Sequence, residues 1–462
     1  MIEWLNGIVW GAPMLVLLSG TGALFTALTG FVQFRRFGDM FRRLFRKNPA
    51  RAPGDVTPFQ AMTTALAATV GTGNIAGVAG AIALGGPGAV FWMWVSAVLG
   101  MATKYAEVVL AIRFREKNAR GEWVGGPMYY IRNGLPRRFH WLAPVFSAFG
   151  ALAALGIGNM VQSNTLAGAV VAAVAALDPA AAPLRGRIAL TAGILSALFA
   201  GLVLLGGAKR IGRVTEKLVP FMSAAYALAA LWAIAANFGE IGGALSSIVR
   251  GAFNPSAAVG GAAGVGIIQA LRHGVARGTF SNEAGMGSAP IAHAAAQVER
   301  PSDQGLYGMF EVFMDTIVLC TLTALAILTS GIAVPYGSGS AGAELAIGAF
   351  STAFGGRAAS AAVALGISMF ALSTILSWSL YGERCFSFLF GERAGTVYRG
   401  AYILLIVAGA VMRVDVAWSA AGALNGLMAL PNLAALILLS GAVREPGRSR
   451  RIAYIRAYNY KG

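Results

Sequence analysis

The sequence predicts an all-α polytopic membrane protein, and three observations predict it. Of 462 residues, 57% are hydrophobic and only 12% charged, about half the charged share of an ordinary soluble domain. A soluble chain this poor in charge could not cover its own surface. Apolar stretches of the roughly 20 residues that a spanning helix needs recur along the whole length. The basic residues gather in alternate loops between them. Disorder is excluded because disordered chains lack apolar residues. A β-barrel would show short alternating segments, and none are visible. Cys320 and Cys385 are the two cysteines; they make neither a disulfide framework nor a zinc motif.

The apolar stretches lie at 8–34, 57–83, 88–112, 141–177, 187–206, 216–238, 262–295, 305–331, 357–386, 397–412 and 416–441, which predicts about 11 spans. The first is expected to stay as a span. Met1-Ile2-Glu3-Trp4 lacks the basic opening of a signal peptide, and the apolar run is too long for one. The 61 glycines fit close helix packing in lipid, where small residues let backbones approach.

The net charge of +17 reflects topology rather than nucleic-acid binding. Of 36 basic residues, 28 fall on one set of loops, from Arg35 through Arg51, Arg113 through Arg138, Lys209 through Lys217, Arg300, Arg384 through Arg399, and in the tail. The other side holds Arg185, Arg187, Arg250, Arg357 and Arg413, while Lys104, Arg272 and Arg277 lie within spans. The positive-inside rule then sets the N-terminus outside and the C-terminus in the cytoplasm of a cell (inner) membrane. That parity needs an odd number of spans. Contacts of these residues with anionic lipid would accompany the topology rather than replace it.

Two spans are interrupted. The second contains Thr69-Val70-Gly71-Thr72-Gly73-Asn74 at mid-span, poor helix material because Gly costs about 1 kcal/mol against Ala. In lipid, freed backbone groups are tolerated only when buried in protein or lining a cavity. The seventh carries His273-Gly274-Val275-Ala276-Arg277-Gly278-Thr279-Phe280-Ser281-Asn282-Glu283-Ala284-Gly285-Met286-Gly287, with charges that normally face a polar interior. Breaks are therefore expected at 67–74 and 274–283. Setting the first span aside, the broken spans open two sets of five, and an odd repeat inverts its second copy. The expected organisation is an extra helix with a basic loop at 1–56, one repeat at 57–240, a second at 241–441, and a basic cytoplasmic tail at 442–462. Broken helices at matching positions of two halves point to a transporter's binding site. Free N–H groups at such a break suit a carboxylate, and free carbonyls suit a hard cation.

Thr69-Val70-Gly71-Thr72-Gly73-Asn74-Ile75-Ala76-Gly77, Gly85-Gly86-Pro87-Gly88, Gly125-Gly126-Pro127-Met128-Tyr129-Tyr130 and Phe280-Ser281-Asn282-Glu283-Ala284-Gly285-Met286-Gly287-Ser288-Ala289-Pro290 resemble the alanine or glycine:cation symporter family, from about residue 54 to 440. The resemblance implies sodium-coupled uptake of small neutral amino acids and a LeuT-type 5+5 inverted repeat, with Na⁺ as coupling ion and no organic cofactor. It implies that backbone N–H groups at Thr72 and Gly73 hold the substrate carboxylate, beside Thr69 and Asn74. It implies that the carbonyls of Ala67 and Val70 hold sodium with hydroxyls of Ser373, Thr374 and Ser377, Thr374 being the first choice. A hydroxyl is an oxygen donor of the class hard cations prefer, although Ser and Thr in helices also bond to a carbonyl one turn back.

Gln162 is the strongest polar candidate on the fourth span; its amide can donate to a carboxylate or accept from an ammonium. Gly278, Thr279 and Phe280 would border the substrate from the second broken helix, Phe280 as a gate, and Trp378 would wall a small pocket. No acidic residue interrupts the first broken helix, which suits a substrate that brings its own carboxylate. Lys104 and Glu107 are spaced to pair on one helix face. They are expected to serve with Glu283, Glu311 and Asp315 as ion-pair or gating partners near the cytoplasmic side, or as a proton or cation relay. His140, His273 and His293 are isolated in sequence and carry no assigned chemistry. An intramembrane enzyme would need a nucleophile elbow, a metal-binding helix motif or a Walker A loop, and the sequence has none. A channel is expected as a symmetric oligomer rather than a chain of two halves. A proton-coupled carrier on the same fold is the remaining alternative.

Overall fold

The computed structural model describes residues 9–45, 52–253, 266–337, 342–412 and 415–443. The basic tail from 444, and Arg46, Lys47, Arg51 and Arg413, lie outside the described residues. Every predicted apolar stretch contains helix. In chain order the main helices are α1 (Ala12–Leu28), α2 (Phe37–Leu44), α3 (Pro58–Thr69), α4 (Ala76–Gly85), α5 (Gly88–Arg113), α6 (Pro127–Gly134), α7 (Leu142–Leu155), α8 (Val161–Leu177), α9 (Arg185–Leu204), α10 (Gly207–Ala236), α11 (Ile241–Phe253), α12 (Ile267–Asn282), α13 (Ala289–His293), α14 (Pro301–Val312), α15 (Thr321–Thr329), α16 (Ala343–Phe354), α17 (Gly356–Phe390), α18 (Glu392–Val411) and α19 (Asp415–Leu438). Turns of π-helix at Gly156–Met160 and Phe313–Cys320 join α7 to α8 and α14 to α15. Among the described residues, seven helices are long and apolar enough to cross a membrane, and eight with the bent pair α3–α4. The count of 11 is not reached on that measure, because α1 and the described part of α19 are shorter apolar helices and α12 carries Arg272, His273 and Arg277.

The first break falls where the sequence places it. A capping box starts α3: Thr57 Oγ1 accepts from Gln60 N and Gln60 Oε1 from Thr57 N, both at 3.1 Å. α3 ends at Thr69, Val70 and Gly71 are extended, and the chain re-enters helix with a 57° bend.

The second break falls later than expected. α12 runs unbroken through 274–282, and the chain leaves it at Glu283, in the left-handed region with φ 54°. Gly285 (φ 88°) and Gly287 (φ 83°) carry the irregular stretch to α13. The earlier glycines serve packing instead. A Cβ on Gly274 would run into Ala89 O, and one on Gly278 into Ser96 Oγ, both on α5. The helix can lie this close to its neighbour only without side chains there.

Other glycines of the sequence motifs also mark backbone contacts. Gly88 abuts the Gly251 backbone of α11. A Cβ at Gly125 would stand 2.6 Å from Ala294 Cβ, and one at Gly126 2.7 Å from Ile291 Cγ1. These two lie between a short hairpin (β1 Glu116–Lys117, β2 Trp123–Val124) and α6. Arg115 fastens the same region, donating to Ala294 O (2.8 Å), Ala296 O (2.7 Å) and Pro53 O (2.8 Å).

Gly274→Ala should cost about 1–3 kcal/mol of stability, as overpacking typically does, and so lower the thermal unfolding midpoint in detergent. An unchanged midpoint would mean that α12 and α5 separate at no cost.

Candidate functional site

The break after Thr69 frees backbone groups, and their partners define the site. Gly71 N donates to Asn74 Oδ1 at 2.8 Å, replacing its lost helical bond. The Thr72 and Gly73 N–H groups have no protein partner among the described residues. Just before the break, Ala67 O lies 3.2 Å from both Ser373 Oγ and Thr374 Oγ1 of α17. These hydroxyls also reach Phe370 O one turn back, at 2.8 and 2.9 Å. With their protons on Phe370 O, the two hydroxyls turn lone pairs toward Ala67 O. Three oxygens from two helices then converge beside Val70, whose ψ of 94° takes its carbonyl out of the helix. Ser377 Oγ is buried without a partner one turn along α17. A Cβ on Gly71 would sit 3.0 Å from Thr374 Oγ1, whereas one on Gly73 would meet only ordinary contacts with Ser281.

A small cavity opens next to these oxygens. α3 and the unwound segment line it with Thr69, Thr72 and Gly73; Gln162, Phe280 and Trp378 come from α8, α12 and α17. Ser281, Glu283 and Asn425 complete its polar surface. The π turn shapes this wall. Gln162 Nε2 donates to Ile157 O at 3.2 Å, which leaves Gln162 Oε1 buried and unpartnered. Gly158 lacks the Cβ that would collide with Trp378. Tyr402 Oη, 3.0 Å from Gly158 O and 2.9 Å from Ile375 O, ties the turn to α17.

Three predicted contacts lie elsewhere. Asn74 turns away from the cavity: Nδ2 donates to Asp315 Oδ1 at 2.7 Å and to Ser281 Oγ at 3.3 Å. Gly278 faces α5, as described. Thr279 is buried within α12, where its carbonyl accepts from Glu283 N at 2.9 Å. Asn425 on α19 was not singled out by the sequence, because a lone Asn in an apolar helix has no local signature. Its Oδ1 is buried without a partner.

The model of the sodium:alanine symporter family matches residues 1–449. The chain belongs to that family. It is 46% identical to the sodium/alanine symporter AgcS of Methanococcus maripaludis over 451 residues, 96% of this chain and 95% of that one. It is 38% identical to the probable sodium/glutamine symporter GlnT of Bacillus subtilis, over 95% of this chain and 87% of that one. In fold it resembles the crystal structure of MhsT in complex with L-phenylalanine. The TM-score is 0.60 at 14% identity, covering 85% of this chain and 91% of that one. The fold is the LeuT type, and the protein is a multi-pass membrane transporter of the amino-acid symporter class, not an enzyme.

Behind the cavity the symporter holds a buried ionic network that the sequence spacing misassigned. Lys104 does not pair with Glu107. Its Nζ bonds Glu311 Oε1 at 3.1 Å, with both side chains fully buried. Glu107 is drawn to the second break, where Oε1 accepts from Gly287 N (3.0 Å) and Asn432 Nδ2 (2.7 Å). Glu283 Oε2 accepts from Ser288 Oγ across the same break. His293 is not isolated: Nε2 faces Glu311 Oε2 at 3.2 Å, and Nδ1 faces Gln304 Nε2 at 2.8 Å. Gln304 Nε2 also donates to Pro58 O at 3.3 Å, at the start of α3.

Removing one member of the buried pair should be far worse than removing both. Lys104→Met alone should destabilise by about 3–5 kcal/mol, because the buried Glu311 loses its cationic partner and keeps only His293 beside it. Lys104→Met with Glu311→Gln, which removes the second charge and keeps an oxygen for His293, should recover most of that loss. Thermal unfolding in detergent checks both, and equal losses in the single and double variants would contradict it.

Proposed function

We propose that this symporter couples the inward movement of a small neutral amino acid, alanine or glycine, to sodium by alternating access. The observation that carries the reading is the meeting of Ala67 O with the Ser373 and Thr374 hydroxyls at 3.2 Å. It stands beside a cavity bordered by the free N–H groups of Thr72 and Gly73. Sodium takes the oxygens of Ala67, Val70, Ser373 and Thr374, with Ser377 one turn further along α17. The carboxylate takes the Thr72 and Gly73 N–H groups. The Gln162 amide oxygen, its NH₂ already engaged, takes the ammonium. Trp378 and Phe280 limit the side chain, which favours alanine over a substrate the size of glutamine. The higher identity to a sodium/alanine symporter than to a sodium/glutamine one supports the same choice.

Sodium and substrate sit on either side of the same unwound turn, so each stabilises the turn for the other and the linkage is reciprocal. The two five-helix sets, opened by α3–α4 and α12–α13, would move against one another around the site. The basic loops support an N-terminus outside, a C-terminus in the cytoplasm and an odd number of spans, eleven. Glu107 and Glu283 then act as ties across the second break, with Lys104 anchored behind them on Glu311.

Labelled alanine should accumulate in proteoliposomes under an inward sodium gradient and not under a potassium control, with unlabelled glycine competing. Accumulation without sodium under an acid-outside gradient would replace the ion with a proton. No accumulation under either would remove the substrate assignment. Thr374→Ala should raise the half-saturating sodium concentration roughly tenfold, the equivalent of about 1.4 kcal/mol, with Thr374→Ser close to the parent. Unchanged sodium activation in Thr374→Ala would take that hydroxyl out of the ion site.

A further inference from the structure

Phe280 is set over the cavity by the last turn of α12 and is only half-buried. Its position is held from outside the two five-helix sets. Trp10, in the turn that leads into α1, meets Phe280 edge-on, with ring centroids 6.0 Å apart and planes at 64°. The indole is anchored in turn, Nε1 donating to Gly422 O of α19 at 3.0 Å. Val9 beside it is buried, and a side chain at Gly426 of α19 would collide with Val9. α19 is thus shaped to receive the Val9–Trp10 segment, one turn from the cavity-lining Asn425. On α12 the Arg277 guanidinium stands 5.9 Å from the Phe280 ring centroid. Trp10 therefore bridges two elements that each contribute a side chain to the cavity, and it belongs to neither.

We propose that Trp10 is a positioning residue: the segment entering α1 braces Phe280 over the amino acid, so a helix outside the two repeats governs how tightly the site retains and selects its substrate. The inference rests on the cavity being the amino-acid site. An edge-to-face ring pair has a preferred geometry, so it fixes the lid's angle as well as adding attraction. One ring contact and one hydrogen bond also leave the lid able to open in every cycle, as gating requires. Without the indole, Phe280 keeps its place in sequence and loses the wall that sets its rotamer.

In Trp10→Ala, the KM for alanine uptake should rise about two- to tenfold, the range expected for losing one aromatic pair. Larger neutral amino acids such as leucine should become better competitors, and Trp10→Phe should restore most of both properties. A lower Vmax with unchanged KM and unchanged competitor range would reduce Trp10 to a packing residue and overturn the proposal. A second readout needs no substrate. Cys320 and Cys385 are buried, so a cysteine placed by Thr72→Cys reports access to the cavity. Its labelling by a small water-soluble thiol reagent should quicken when Trp10→Ala is added, and an unchanged rate overturns the brace. Quickened labelling, where the unsubstituted protein transports no amino acid, would keep the brace and discard the substrate reading. If Trp10→Ala does not reach the membrane, Trp10→Leu takes its place in both assays under the same criteria.

Discussion

Both breaks in the membrane helices are held by asparagines that lean on two adjacent, hydrogen-bonded residues of a third stretch of helix. At the first, Asn74 accepts from Gly71 N through Oδ1 and donates to Asp315 through Nδ2. At the second, Asn282 accepts from Ala284 N (3.0 Å) through Oδ1 and donates to Thr316 Oγ1 (3.1 Å) through Nδ2. Thr316 Oγ1 in turn donates to Asp315 Oδ2 at 2.7 Å. Lipid offers no water to a backbone that leaves its helix, so an unwound segment persists only where side chains stand in for the missing bonds. One amide does this twice over, since it has an acceptor for the loop and donors for its anchor. The free N–H groups and carbonyls of the cavity exist because these two asparagines hold the chain open around them.

The anchor itself is irregular. Asp315 and Thr316 lie in the π-helical stretch Phe313–Cys320, and the second π turn, Gly156–Met160, presents Gln162 and makes room for Trp378. Such insertions frequently mark functional sites, because an extra residue re-aims the side chains around it. Here the wall of the cavity and the anchor of its floor depend on the same device in different helices. The ionic network extends the arrangement, with Glu107 on the backbone of the second break and His293 and Gln304 leading from Glu311 to Pro58 at the base of α3. Movement of either broken helix must rearrange polar contacts that have no solvent to fall back on.

Glycine has two separate duties in this fold, and confusing them displaced one break. Gly71, Gly285 and Gly287 lie where the backbone leaves its helix, the last two at positive φ. Gly88, Gly274 and Gly278 sit in helices whose neighbours leave no room for a side chain. The residues of His273–Gly287 cannot distinguish the two uses, because a packing glycine and a breaking glycine have the same intrinsic helix propensity. The neighbouring α5 decides between them.

The sequence by itself determined the membrane class, the helical segments, the family, and the first break with the hydroxyls of α17 that face it. Each is written locally: apolar length, Gly-Thr-Gly-Asn at mid-span, Leu372-Ser373-Thr374 in an apolar run. The tertiary structure alone decided the partners. Lys104 and Glu107 are one turn apart, yet the free N–H of Gly287 claims Glu107 and leaves Lys104 to Glu311. Asn74 faces Asp315 rather than the cavity, His293 is enclosed by residues from two other turns of chain, and Asn425 reaches the cavity from α19. A buried polar group must find its partner among whatever the fold brings within about 3 Å. That neighbour is chosen by helix packing, to which spacing along the chain is blind.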